Sequence, residues 1–162
     1  MHDRKIEIRQ VGAADEVESV RSLFVEYERA IGIDLCFQSF EKELAELPGA
    51  YALPKGRLYL LRIDGEVEGC IALRPNGEED CEMKRLYVRP ARRRLGVGRL
   101  LAERVIADAR SIGYRRMLLD TLDSMQSAQR LYESLGFVDA EPYTHNPHSG
   151  VRYMQLDLRQ TP

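Results

Sequence analysis

The chain has 162 residues, enough for one domain that buries most of its apolar surface, and its 44% hydrophobic and 31% charged residues are those of a folded protein. A formal net charge of -2 gives no global field toward nucleic acid or membrane, so charge has to be read locally. No apolar run reaches the length of about eighteen residues that a bilayer span needs, and Met1 to Gln10 lacks the apolar core of a signal peptide. Cys36, Cys70 and Cys81 form no CxxC or Cys/His cluster. Reduced thiols in a cytoplasmic protein are therefore expected, and a metal site or disulfide framework is not.

The opening Lys5-Ile6-Glu7-Ile8-Arg9 alternates with period two, which predicts a strand. From Asp15 the spacing of Val17, Val20, Phe24, Tyr27 and Ile31 predicts a helix with an acidic first turn. Ser39 is a candidate cap for a second, short helix with Phe40, Leu44 and Leu47 inward, ended by Pro48-Gly49. After a loop to Gly56, Leu58 to Ile63 and Val67 to Leu73 flank Asp64-Gly65, a hairpin signal. A polar loop, Pro75 to Asp80, leads to a strand over Glu82 to Val88.

Leu100, Leu101, Val105, Ala109 and Ile112 describe a long amphipathic helix that Gly113 ends. Met117 to Thr121 is a strand. Asp123 with Gln126 has capping-box spacing for a helix carrying Ala128, Leu131, Tyr132 and Leu135 on one face. Strands near Phe137 to Pro142 and Val151 to Leu158 complete the order β-α-α-β-β-β-α-β-α-β-β. The strand–helix–strand unit over 82–121 calls for parallel pairing and the earlier hairpin for antiparallel pairing. Together they predict an α/β (α+β) fold over 1–162: a mixed, twisted sheet with helices on both faces.

The stretch Arg93-Arg94-Leu95-Gly96-Val97-Gly98 lies between a strand and a long helix. Paired glycines let backbone N–H groups approach an anion, and the helix start adds unpaired N–H groups and the positive end of its dipole. Arg92, Arg93, Arg94 and Arg99 add formal charge, so the turn suits phosphate or pyrophosphate. The other reading is a glycine turn with a solvated arginine face. A Walker turn is excluded because no Lys-Ser/Thr follows, and a dinucleotide fingerprint because Leu101 replaces its third glycine.

Glu82-Met83-Lys84-Arg85-Leu86-Tyr87-Val88-Arg89-Pro90, then Arg93-x-x-Gly96-x-Gly98, then Ala128 to Phe137 (AQRLYESLGF) resembles the GNAT family of N-acetyltransferases. The middle element is similar to the family's acetyl-CoA signature and the last to its A-x-x-L-Y-x-x-x-G-F segment. The resemblance implies acetyl-CoA as co-substrate and an amine as acceptor. It implies that Arg93, Arg94, Leu95, Gly96, Val97, Gly98 and Arg99 hold the pyrophosphate. Leu86, Tyr87 and Val88 would offer main-chain groups to the acetyl carbonyl and pantetheine arm, in a gap where this strand and its parallel neighbour splay. Many members carry Asn where Met125 stands here, so a role for that amide is not carried over.

Acetyl transfer needs an amine freed of its proton, a polarised thioester carbonyl and a proton for the leaving sulfur. Tyr132 is the family-matched proton donor, against the plain alternative of a core aromatic on its helix face. Glu82 is the candidate base, direct or through water, against the alternative of a strand-entrance carboxylate paired with Lys84 or Arg85. Acceptor specificity is expected in Ile31 to Gly56 and Tyr143 to Gly150. Asp34 and the glutamates Glu41, Glu43 and Glu46 of the first segment could attract a cationic amine, although a solvated face suits the glutamates better. In the second, His145 or Tyr143 could touch the acceptor, and His145 with His148 lacks a third metal ligand.

Expected partners are a small-molecule or peptide amine and a second copy in a homodimer, with no nucleic acid and no membrane. A non-catalytic acyl-CoA sensor on the same scaffold is the second function class. Nucleic-acid binding through Arg89 to Arg99 ranks below both, because only Tyr87 is nearby for stacking.

Overall fold

Side-chain alternation along the central strands feeds two separate apolar layers. Leu58, Leu60, Cys70 and Ala72 pack with Val20, Leu23, Phe24 and Phe40. Their neighbours Tyr59, Leu61, Ile71 and Leu73 pack with Leu101, Val105, Tyr132 and Phe137. One sheet thus carries a core on each face, and these strands read as apolar runs because both sides are buried.

The computed structural model describes residues 3–35 and 39–159; Cys36, with part of the expected acceptor segment, lies outside the described residues. Within them run β1 (Ile6–Gln10), α1 (Ala14–Ile31), α2 (Phe40–Glu46), β2 (Arg57–Ile63), β3 (Glu66–Asn76), β4 (Asp80–Val88), α3 (Val97–Ile112), β5 (Arg116–Leu122), α4 (Gln126–Ser134), β6 (Val138–Asp139) and β7 (Val151–Asp157). The sheet order among them is β1-β2-β3-β4-β5-β7-β6, with β4–β5 parallel and the other pairs antiparallel. α1 and α2 cover one face, α3 and α4 the other.

Several local expectations change. Ser39 stands at the start of α2, but its side chain caps nothing. α4 starts at Gln126 with Met125, not Asp123, at the cap position. Asp123 is drawn away by the final loop, its N–H donating to the Gly150 carbonyl at 2.8 Å. β3 runs on to Asn76, which shortens the expected polar loop, and Pro90–Leu95 forms a short 3-10 helix. β6 keeps only two residues, because β7 rather than β6 takes the place beside β5.

Two irregularities in β4 shape the centre. Cys70 pairs with Tyr87 and Ala72 with Lys84, so Ile71 faces both Arg85 and Leu86. This bulge puts Arg85 at φ 59, a left-handed conformation that costs a non-glycine residue about 1–3 kcal/mol. The Arg85 guanidinium offsets that cost: Nε and Nη2 each donate to the Glu43 carboxylate at 3.0 Å, and it lies over the Phe40 ring at 5.2 Å. The second irregularity is that β4 and β5 stay paired only from Asp80↔Arg116 to Glu82↔Leu118. Beyond that point the strands part.

Candidate active site

The parting of β4 and β5 opens a cleft in the middle of the sheet. Its deep part is lined by Lys84, Arg85 and Leu86 from β4, Asp120 and Thr121 from β5, Tyr27 and Ile31 from α1, Tyr132 from α4 and Asn146 from the last loop. It shares Tyr27, Ile31, Leu86 and Met125 with an outer groove that continues past Tyr87 and Val88 to Gly96 and Gly98. The cleft runs unbroken from the glycine turn to Tyr132.

Gly96 sits at φ 76, where a side chain would be strained, and begins α3. The first bond of that helix is Leu100 N–H to the Gly96 carbonyl, so the preceding N–H groups are open to an anion. A Cβ at Gly98 would meet Leu131 at 3.8 Å, narrowing the groove between α3 and α4. Leu86, Tyr87 and Val88 line the same groove on the β4 side. The residues therefore fit a pyrophosphate at the turn and an extended arm along β4.

The arginines divide. Arg93 lines the groove, with Nε donating to the Val88 carbonyl at 2.8 Å and its guanidinium over Tyr87 at 5.8 Å. Arg99 also lines the groove and bonds the Ser134 hydroxyl. Arg94 and Leu95 are exposed outside the lining, and the Val97 side chain is buried in the core, leaving only its backbone for the turn. Arg89 is committed to Glu26, at 2.7 Å, and Arg92 faces Glu68 at 3.6 Å. Arg130, missed in the sequence, joins the lining because the first turns of α4 flank the glycine turn. Its place two residues before Tyr132, in the segment that carried the family resemblance, was the available signal.

Tyr132 is buried, with its ring tilted against Phe137 at 5.8 Å. Burial first, then the electrostatic influence of Tyr27 and Asp120, pushes its phenol well above the ordinary range, so it keeps its proton.

Glu82, the candidate base, sits in a buried cluster of charges. It is 1% exposed, does not line the cleft, and sits at the last paired position of β4. Arg74 donates to Oε1 through Nε at 2.9 Å and lies 2.8 Å away through Nη2. Tyr143 donates to Oε2 at 2.6 Å, and the Lys84 ammonium is 3.8 Å away. Burial alone would raise its pKa, but Lys84, Arg74 and the Tyr143 phenol outweigh burial and hold the carboxylate below the usual range. Arg74, on the next strand, was the unseen partner; Arg85 pairs instead with Glu43. Glu43 is thus part of an ion pair and not a solvated face.

Solved structures share this architecture. An acetyltransferase of GNAT family from Staphylococcus aureus superposes with TM-score 0.78 at 20% identity, over 95% of this chain and 99% of that one. A Salmonella typhimurium structure solved with its cofactor acetyl-CoA superposes with TM-score 0.68 at 21% identity, over 98% and 96%. In sequence, an uncharacterized N-acetyltransferase of Schizosaccharomyces pombe is 41% identical over 160 residues, covering 98% of each chain. The model of the acetyltransferase (GNAT) family matches residues 17–137, and the chain belongs to that family. It is an acetyl-CoA-dependent N-acetyltransferase.

Proposed function

We propose that the chain works as a single GNAT-like domain that transfers acetyl directly to an amine, with the glycine turn seating the pyrophosphate and Tyr132 giving a proton to the departing sulfur. The observation that carries this is the continuity of the cleft from Gly96 and Gly98, along the edge of β4 that has no strand partner, to Tyr132. Acetyl-CoA supplies an acetyl group already activated as a thioester.

Open N–H groups at the start of α3 bind negative charge, and Arg93, Arg99 and Arg130 offset what remains. Leu86 to Val88 line the groove along the stretch of β4 that β5 no longer pairs. Tyr132, kept neutral by burial, holds its proton in the deep part of the cleft. A weak acid is sufficient, because an alkyl thiol has a pKa near ~8.5. Glu82 serves as the anion that holds Arg74 and Lys84 where the strands part, and not as the base. Tyr132 in the cleft favours an enzyme over a non-catalytic acyl-CoA sensor, and the free buried thiols Cys70 and Cys81 support a cytoplasmic setting.

A thiol-release screen against amino acids, polyamines, aminoglycosides and peptide N-termini, with acetyl-CoA binding measured by calorimetry, tests the proposal. Release above background with one class supports it. Acetyl-CoA binding without release on any amine supports the sensor, and no binding overturns both.

A further inference from the structure

The gap between β4 and β5 is reached from both faces of the sheet. Tyr132 stands in the apolar layer under α3 and α4, with Leu119 of β5. Strand alternation turns the next residue, Asp120, toward the opposite face, where α1 and the last loop lie. There Asp120 lines the cleft with Tyr27, Ile31, Ile33 and Leu35, and Asn146 Nδ2 donates to its Oδ2 at 3.2 Å. Among the described residues it is the single carboxylate lining either stretch of the cleft.

We propose that Asp120 receives the acceptor, and that the acceptor is a primary alkylammonium whose chain lies against Ile31, Ile33 and Leu35. The proposal rests on the acetyltransferase reading of the same site. A cation is favoured because Asp120 is the one carboxylate that the described cleft wall presents to the open space. Arg85 is paired with Glu43, and the Lys84 ammonium, 3.8 Å from Glu82, feels the charges of both Glu82 and Asp120, so an arriving cation shares Asp120 with Lys84. Asn146, a neutral amide, orients Asp120 without cancelling its charge. An alkyl chain is favoured because Ile31, Ile33 and Leu35 give the wall beside Asp120 an aliphatic stretch next to the Tyr27 ring.

An alkylammonium, with an ordinary pKa near ~10.4, arrives protonated and must lose that proton before it reacts. The cleft already does this to an ammonium of its own: burial, then the charge of Arg85, lowers Lys84 to about 8. An acceptor beside Lys84 meets the same desolvation and one more positive charge. Its N–H bond breaks with the electron pair left on nitrogen, and the proton passes to Asp120 and on to water. The nitrogen pair forms the C–N bond as the C–S bond breaks and sulfur takes the Tyr132 proton. The second proton lost by nitrogen restores Tyr132. The balance is one amide, one thiol and one proton released to water. Titratable groups that feel the Asp120 charge are Tyr27 of α1, Lys84 of β4, Tyr132 of α4, Tyr143 of the last loop and Tyr153 of β7.

The test uses n-butylamine and its neutral analogue n-butanol as probes, titrated into 15N-labelled protein by NMR at pH 7. Wild type should bind the amine about tenfold or more tighter than the alcohol, the scale of a charge-assisted contact. Asp120→Asn should erase that preference, while Glu103→Gln, on the exposed face of α3 and outside the cleft lining, keeps it. Turnover of n-butylamine, as kcat/KM, should fall by about 10²-fold or more in Asp120→Asn. Equal binding of amine and alcohol to wild type, or a preference that survives in Asp120→Asn, overturns the proposal. Calorimetry with acetyl-CoA is separate: wild type that fails to bind it overturns the cofactor reading, whereas the amine preference judges Asp120 alone.

Discussion

Glu82→Gln is the perturbation for which two roles of one carboxylate give opposite results. The substitution keeps size and shape but removes the charge that holds Arg74 and Lys84 at the point where β4 and β5 part. Breaking a buried ion pair costs about 3–5 kcal/mol, and Arg74 retains some water contact, which brings the expected loss to about 2–4 kcal/mol. For a chain of this size that is a fall in Tm of roughly 4–16 °C. The sign against pH follows from the lowered pKa of Glu82 in the folded state. Its stabilisation is fully present above the unfolded carboxyl value near ~4.3 and is lost as pH falls through the folded value. Urea denaturation of both proteins from pH 7 to pH 4 should show a full deficit at pH 7 that begins to close at the acid end. The pH–rate profile of the variant should keep its rising limb, as the proposed ion-pair role of Glu82 requires. Equal stability at pH 7 refutes the ion-pair argument, and loss of the rising limb restores Glu82 as the base.

Tyr132→Phe should hold acetyl-CoA affinity within a few fold while lowering kcat toward the ~10²-fold end of acid catalysis; equal turnover, with chemistry rate-limiting, removes the phenol from the mechanism. Gly98→Glu places bulk and negative charge in the groove facing Leu131, and calorimetry on the folded variant should show acetyl-CoA binding lost; unchanged affinity contradicts the glycine-turn assignment. Glu43→Gln leaves the Arg85 guanidinium buried without its anion, an expected loss of about 3–5 kcal/mol in urea denaturation, and a loss under 1 kcal/mol would show that the bulge does not need the pair. Cys70 and Cys81 are fully buried with thiols pushed up by desolvation, so peptide mapping should find both unlabelled by a thiol reagent in native protein and labelled in denaturant.

The sequence by itself determined most of the elements, because most carry their own period and stops. Val17 to Ile31 repeats at helical spacing and ends at Gly32, which closes α1 at φ 71. Asp64-Gly65 makes the hairpin turn, both residues at positive φ. Gly96 and Gly98 mark the glycine turn that opens α3, since backbone approach is a local property of the chain. The α4 segment was legible for the same reason, with Tyr132 on its buried face.

Only the tertiary structure decided which charges meet. Arg74 reaches Glu82 because β3 and β4 pair in that register, and Tyr143 reaches it from 61 positions along the chain. Arg85 turns to Glu43 because a bulge reverses its backbone, and no alternation rule predicts where an extra residue is inserted. Asp120 looked like one more polar residue inside a strand until the parting of β4 from β5 made it the wall of a cleft. Local periodicity is written in neighbouring side chains and can be read from them. A long-range pair is set by sheet register and helix packing, and these depend on the burial of the whole core rather than on any short stretch of sequence.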